Sequence, residues 1–258
     1  MLLVIVVAFG AAALTLFSGF GLGTLLLPAF AVTFPPQIAV AATAVVHLAN
    51  NLFKLVLLGR HAELGVVLRF ALPAILASIV GALALQQLAH GAPLHTWSWF
   101  RITHQVTPVG LTIGTLIVAI ALFELHPRAQ NLTFPRRALP LGGALSGFLG
   151  GLSGHQGALR SAFLVQLGLT RDAFLATGVV CAVCIDVARL MVYGTAQIRE
   201  HFATLGELGP DVGAGILAAF CGSYFGSKLV KKVTMKGIQR VVGVMLVLIG
   251  TAMAAGIV

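Results

Sequence analysis

Arg160 is the residue of this chain that most needs an explanation. It stands in Gly157-Ala158-Leu159-Arg160-Ser161, just past the stretch Gly150-Gly151-Leu152-Ser153-Gly154-His155-Gln156-Gly157. A guanidinium is planar, forked and always charged, which suits it to an oxyanion. In an apolar segment it either faces a cavity or a partner, or runs its stem along the apolar surface toward water. His155 and Gln156 can donate to a bound oxyanion or cap the helix that follows, and a histidine can also move a proton near neutral pH. His47, Asn50 and Asn51 are spaced three and four residues apart and so share one helix face. They line a site, or they bond neighbouring helices; the matching positions further on are Cys181, Cys184 and Ile185. Asp186 and Arg189, at i and i+3, read as a local ion pair with Arg189 reaching outward, or as a gate or coupling carboxylate. Lys54, near the end of its segment, is expected to extend toward water. Cys181 and Cys184 have the CxxC spelling, which in an apolar helix is also a small-residue packing pattern. No HExxH, Walker loop or paired carboxylates occur, so no catalytic residue, resident metal or cofactor is expected.

The elements that position these residues follow from composition. Of 258 residues, 59% are hydrophobic and 9% charged, where a soluble domain carries about 25% charged. Mean hydropathy is +1.02. This excludes a water-soluble domain and indicates an all-α integral membrane protein, each span needing roughly 20 apolar residues. The net charge of +9 comes from short basic loops, so it reports orientation in the bilayer and not nucleic-acid binding. The opening Met1-Leu2-Leu3-Val4 lacks a basic n-region and reads as the first membrane segment.

Hydrophobic segments fall at about 1–17, 20–33, 38–58, 66–88, 108–125, 138–152, 157–168, 172–193, 212–227 and 238–257. Two pairs of short segments are separated by glycine-rich breaks, Ser18-Gly19-Phe20-Gly21-Leu22-Gly23 and the 150–157 stretch. Irregular backbone at membrane depth survives only inside protein or beside a water-filled cavity, so each pair reads as a helical hairpin. The halves resemble each other: Phe17-Ser18-Gly19-Phe20 matches Leu145-Ser146-Gly147-Phe148, and Ala41-Ala42-Thr43 matches Leu175-Ala176-Thr177. We therefore expect one membrane repeat at 1–126, a cytoplasmic linker at 127–137 and a second repeat at 138–258. If each hairpin returns to its starting side, three helices per half cross completely and the repeats are inverted. One side then carries Arg60, Arg69, Arg128, Arg136, Arg137, Arg171, Lys228, Lys231, Lys232, Lys236 and Arg240, eleven of sixteen basic residues, against Arg101 and Arg199. Single-crossing hairpins would split them six to seven. The positive-inside rule selects the first arrangement and places both termini outside the cytoplasm. Re-entrant hairpins and pairs of full spans share this parity. Loop 89–107 is then external, with Trp97 and Trp99 in the interfacial belt.

Broken helices in inverted repeats place a binding site near the midplane. Each returning half-helix starts at its break and aims unpaired N–H groups and partial positive charge inward, which favours an anion. Gly21, Gly23 and Thr24 at the first break, with Gly157 and Arg160 at the second, are the expected contacts.

The chain resembles the TauE/SafE family of membrane permeases. The resemblance rests on Gly19-Phe20-Gly21-Leu22-Gly23-Thr24-Leu25-Leu26-Leu27-Pro28, on the second break from Gly147 to Gly157, and on Gly222-Ser223-Tyr224-Phe225-Gly226-Ser227-Lys228 before a basic loop. His155 and Gln156 interrupt the family's usual run of glycines, and Ala162 stands where its proline would match Pro28. The resemblance implies a secondary transporter in the inner membrane, exporting a small anionic substrate such as sulfite, thiosulfate or an organosulfonate, with proton coupling open. The alternatives are an anion channel, or a membrane redox or metal enzyme using Cys181, Cys184 and His155. A homodimer is compatible with the sequence.

Overall fold

The computed structural model describes residues 1–18, 21–99, 101–126, 134–200, 202–229 and 235–258. Gly19 and Phe20 of the first break, most of the 127–137 connection, and Arg128, Lys231 and Lys232 lie outside it, as do the side chains of Arg199, Lys228, Lys236 and Arg240.

The described residues form ten α-helices: α1 (Leu2–Ser18), α2 (Leu22–Ala31), α3 (Pro36–Leu58), α4 (Leu64–Ala89), α5 (Pro108–Leu125), α6 (Leu139–Ser153), α7 (Gly157–Leu164), α8 (Arg171–Glu200), α9 (Phe202–Leu229) and α10 (Met235–Ala254). Three stretches, Pro36–His61, Leu64–Ala89 and Arg171–Gly194, are long and apolar enough to cross a membrane. Proline at the first turn starts α3, α5 and α6, where its missing N–H costs nothing. Thr107 caps α5 by accepting from the Gly110 N–H at 3.1 Å. The molecule is apolar outward. Leu64, Leu68, Leu72 and Leu76, one turn apart on α4, are all more than half exposed, whereas Phe70, Ala74 and Ser78 on the other face are fully buried.

Loop 89–107 is not irregular throughout. An antiparallel hairpin, β1 (His95–Trp99) with β2 (Ile102–Val106), closes through Arg101 at φ 65°. The tryptophans separate here. Trp97 donates its indole N–H to the Ala255 carbonyl at 2.8 Å and stacks on His104, while Trp99 is 62% exposed. The hairpin therefore sits on the C-terminal end of α10. At another end of the chain, the Met1 amino group lies 3.3 Å from Asp211, early in α9. At the opposite end of the bundle, the Glu63 N–H donates to Thr177 on the first turns of α8 at 3.0 Å.

Helices associate through small residues, because in lipid no hydrophobic force drives them together and close backbone approach supplies the packing. Gly143, Gly147 and Gly151 of α6, four apart, face the backbone of α4 at Phe70, Ala74 and Ser78. A methyl on any of them would overlap those carbonyls. Gly222 and Gly226 of α9 approach Phe9 and Ala13 of α1 in the same way, and Gly114 of α5 meets Gly250 of α10. The neighbours are thus α6 with α4, α1 with α9, α5 with α10, and α3 with α8.

Candidate functional site

Two glycines make the breaks. Gly21, before α2, has φ 124°, and Gly154, after α6, has φ 82°. Both values lie in the region where a side chain is strained and glycine is not. The breaks meet inside the bundle: a methyl built on Gly23 would stand 3.2 Å from the Gly154 carbonyl oxygen.

A cavity of about 30 Å³ lies at this junction. Gly21, Leu22, Gly23 and Thr24 of the first break and Gly154, Gly157 and Arg160 of the second line it, together with Thr15, Leu175, Val179 and the α3 residues His47, Asn50, Asn51, Lys54 and Leu58. The space holds one or two waters, hence a compact ligand. From the breaks it runs along α3 toward Leu58 and along α8 toward Leu175, the end of the bundle where Glu63 meets Thr177. Its described lining contains Lys54 and Arg160 and no Asp or Glu.

Of the residues singled out in the sequence, Gly21, Gly23, Thr24, His47, Asn50, Asn51, Gly157 and Arg160 line this cavity. Arg160 is 4% exposed and does not reach toward water; it donates to the Gln156 side-chain oxygen at 3.0 Å, among other contacts. His155 and Gln156, expected from the sequence to contact the ligand, are not among the residues that line this cavity. Gln156 instead bridges Arg160 to Asp186, donating to the Asp186 carboxylate at 2.8 Å. His155 is buried, with Nδ1 3.1 Å from Ser153 Oγ and Nε2 unpartnered.

Asp186 and Arg189 sit behind the cavity, both fully buried. Arg189 donates to Asp186 Oδ1 through Nε at 3.0 Å and Nη2 at 2.7 Å. The pairing is as expected; the outward reach of Arg189 is not found, because its remaining nitrogen turns to the Gly150 carbonyl at 3.1 Å. Tyr193 donates to the Gly151 carbonyl beside it. The last carbonyls of a helix have no partner within it, so Arg189 and Tyr193 terminate α6 and hold its tip on α8. A cation suits this end of a helix dipole. On the other Asp186 oxygen, His47 donates from Nδ1 at 2.6 Å. One carboxylate therefore ties the polar face of α3 to the second break.

Lys54 is the main residue the sequence reading misplaced. It is 6% exposed, not extended to water, and donates to Thr15 Oγ1 at 2.5 Å. With the Asn50 amide turned to donate to Ser223 Oγ at 2.7 Å and the Ala219 carbonyl at 3.2 Å, its oxygen accepts from Lys54 at 3.3 Å. A signal was available: 47, 50, 51 and 54 continue one helical stripe at i, i+3, i+4, i+7. Thr15, Ser223 and Tyr193 gave none, since each is a single polar residue whose role depends on which helix lies opposite.

The CxxC cysteines have different surroundings. Cys181 is fully buried in an apolar cluster with Phe70, Phe163 and Ile185. Among the described residues, no three His, Cys, Asp or Glu side chains are grouped as a metal ion requires.

An apolar-surfaced helical bundle with three stretches long and apolar enough to cross a membrane is the architecture of a membrane-embedded protein. The chain matches the family model described as Sulfite exporter TauE/SafE over residues 4–253. It belongs to that family, whose members are transporters. No curated protein and no solved structure matches it.

Proposed function

We propose that the protein is a secondary transporter that exports a small sulfur-containing anion across the inner membrane, binding it between the two breaks. The observation that carries this reading is the cavity itself. It joins the N-terminal turns of α2 and α7 with Arg160 and the polar face of α3, and no carboxylate is present in its described lining. Helix N-termini and a buried guanidinium both favour an oxyanion. Gly21, Gly23, Thr24, His47, Asn50, Asn51, Gly157 and Arg160 form the binding shell, and His155 and Gln156 support it from behind.

The chain is built as two inverted repeats, 1–126 and 138–258, joined by a cytoplasmic linker at 127–137. The helix neighbours support this: exchanging α1–α5 for α6–α10 turns α1 with α9 into α6 with α4, and leaves α3 with α8 and α5 with α10 unchanged. The cavity's lining includes Leu58 and Leu175, close in sequence to Arg60 and Arg171, whose end of the bundle the positive-inside rule assigns to the cytoplasm. Both termini are then outside, and the cavity faces its source of substrate. Asp186 and Arg189 act as the outer gate, holding the α6 tip on α8, and the His47–Asp186 contact offers a route for a coupled proton. An anion channel is less well supported, because the polar cavity ends at the breaks where Gly23 and Gly154 touch.

Uptake into liposomes tests the proposal, with sulfite, thiosulfate, sulfate, sulfoacetate, taurine and simple carboxylates offered in turn. Saturable, counterflow-competent uptake of a sulfur oxyanion is expected. Absence of uptake for every anion, or conductance far above carrier turnover, rejects it.

A further inference from the structure

The hairpin of β1 and β2 has two unlike faces. Side chains alternate along a strand, and the register pairs Trp97 with His104 and Trp99 with Ile102 on one face. Thr96, Ser98, Thr103 and Gln105 take the other; all four are polar and exposed. The Trp97 face is the one that meets the bundle, through the indole bond to the Ala255 carbonyl. Two residues nearer the turn, about 7 Å along the strand, the same face carries Trp99 and Ile102. These keep 62% and 61% of their surface exposed, so the tip reaches past the helix that holds its base.

What surrounds the tip follows from α10. Val244, Leu248 and Thr251 are exposed at i, i+4 and i+7, one face of the helix. Ala255 continues that face, its N–H still bonded to the Thr251 carbonyl at 2.9 Å. Val244 and Leu248 are apolar and more than half exposed, so this face is turned to lipid. The hairpin docks where that face ends. Arg101 stands in the turn, exposed, between Trp99 and Ile102 in sequence. A guanidinium fits a phosphate, and an indole favours the boundary between acyl chains and headgroups.

We infer that Trp99, Arg101 and Ile102 form a phospholipid-binding tip. Trp99 and Ile102 enter the headgroup layer of the leaflet around α10, and Arg101 binds a lipid phosphate. The sequence puts both tryptophans in the interfacial belt; the structure divides their tasks. Trp97 holds the hairpin to the protein, and Trp99 holds it to the membrane. This binding needs only a bilayer around the bundle and is independent of what the protein carries.

The chain has two tryptophans, so the full-length protein in liposomes tests this through its own fluorescence. Trp97→Phe leaves Trp99 as the sole tryptophan. Its emission should be quenched strongly by phosphatidylcholine brominated near the headgroup end of the acyl chains, less by lipid brominated near the chain terminus, and weakly by aqueous acrylamide. Quenching by acrylamide and by neither brominated lipid overturns the inference and turns the tip toward water or a soluble partner. Protection from all three overturns it in favour of contact with a second copy. Should Trp97→Phe fail to fold, Trp99→Phe gives the same reading: it should lose most of the wild-type quenching by brominated lipid, and full retention overturns the inference. Arg101→Asn, in the Trp97→Phe background, keeps a residue that tolerates positive φ and removes the guanidinium. It should lower the quenching of Trp99 by headgroup-side bromine and raise that by acrylamide; unchanged quenching overturns the phosphate contact.

Discussion

Asp186 shows how much one side chain organises here. Its carboxylate accepts from His47 on α3, from Gln156 ahead of α7 and from Arg189 on its own helix. Asp186→Ala would leave Arg189 buried without its counter-ion. Removing one member of such a pair costs about 3–5 kcal/mol, so thermal unfolding in detergent should show a large loss of stability, with Asp186→Asn milder because it keeps acceptor and shape. Under the proposed function, Arg160 is the residue that affinity tests. Arg160→Ala should weaken anion binding about tenfold or more, read as a shifted concentration for half-maximal uptake; unchanged affinity removes Arg160 from the site. The polar face of His47, Asn50 and Asn51 was legible in the sequence because helical spacing alone puts the three together. Lys54 was misread for a physical reason. Distance to the end of a helix predicts reach to water only where nothing covers that end, and here Thr15 of α1 takes the ammonium first.

Helix contacts are set by glycines whose partners are backbone atoms. Gly147 faces Ala74 so closely that a Cβ would overlap its carbonyl, whereas Gly10 has nothing within 4 Å. Gly147→Ala should therefore reduce folded yield and melting temperature, while Gly10→Ala should be neutral or gain up to about 1 kcal/mol from its better helix propensity. Comparing the two by size-exclusion yield and melting separates packing from propensity. Helix lengths were partly legible. The breaks were found from their glycines, but α7 stops at Leu164, short of the apolar run, and α8 extends to Glu200, well past it. Hydropathy marks what tolerates lipid; it does not mark where backbone hydrogen bonding ends. The β-hairpin was not legible, because its anchor, the Trp97 bond to Ala255, joins residues 158 apart.

For the whole molecule, the proposed secondary transport makes an accessibility prediction. The cavity's lining reaches Leu58 and Leu175 on one side and Gly154 on the other, beyond the α6 tip whose Gly150 and Gly151 carbonyls Arg189 and Tyr193 hold. In a background with the native cysteines replaced, Leu58→Cys and Leu175→Cys should react with a membrane-impermeant thiol reagent added from the cytoplasmic side, and substrate anion should slow the reaction. A cysteine at Trp99 should react only from the opposite side. Labelling of both sets from one side would refute the inverted topology and the assigned orientation.

The sequence by itself determined the solvent this protein lives in, the positions of its helices and breaks, and the family to which it belongs, because these depend on local composition and on glycines whose backbone freedom is an intrinsic property. Only the tertiary structure decided that the two breaks touch, that Asp186 also takes His47, and that Lys54 shares a cavity with Arg160. Those facts concern residues more than a hundred positions apart, and a buried charge is assigned its partner by whatever packs against it.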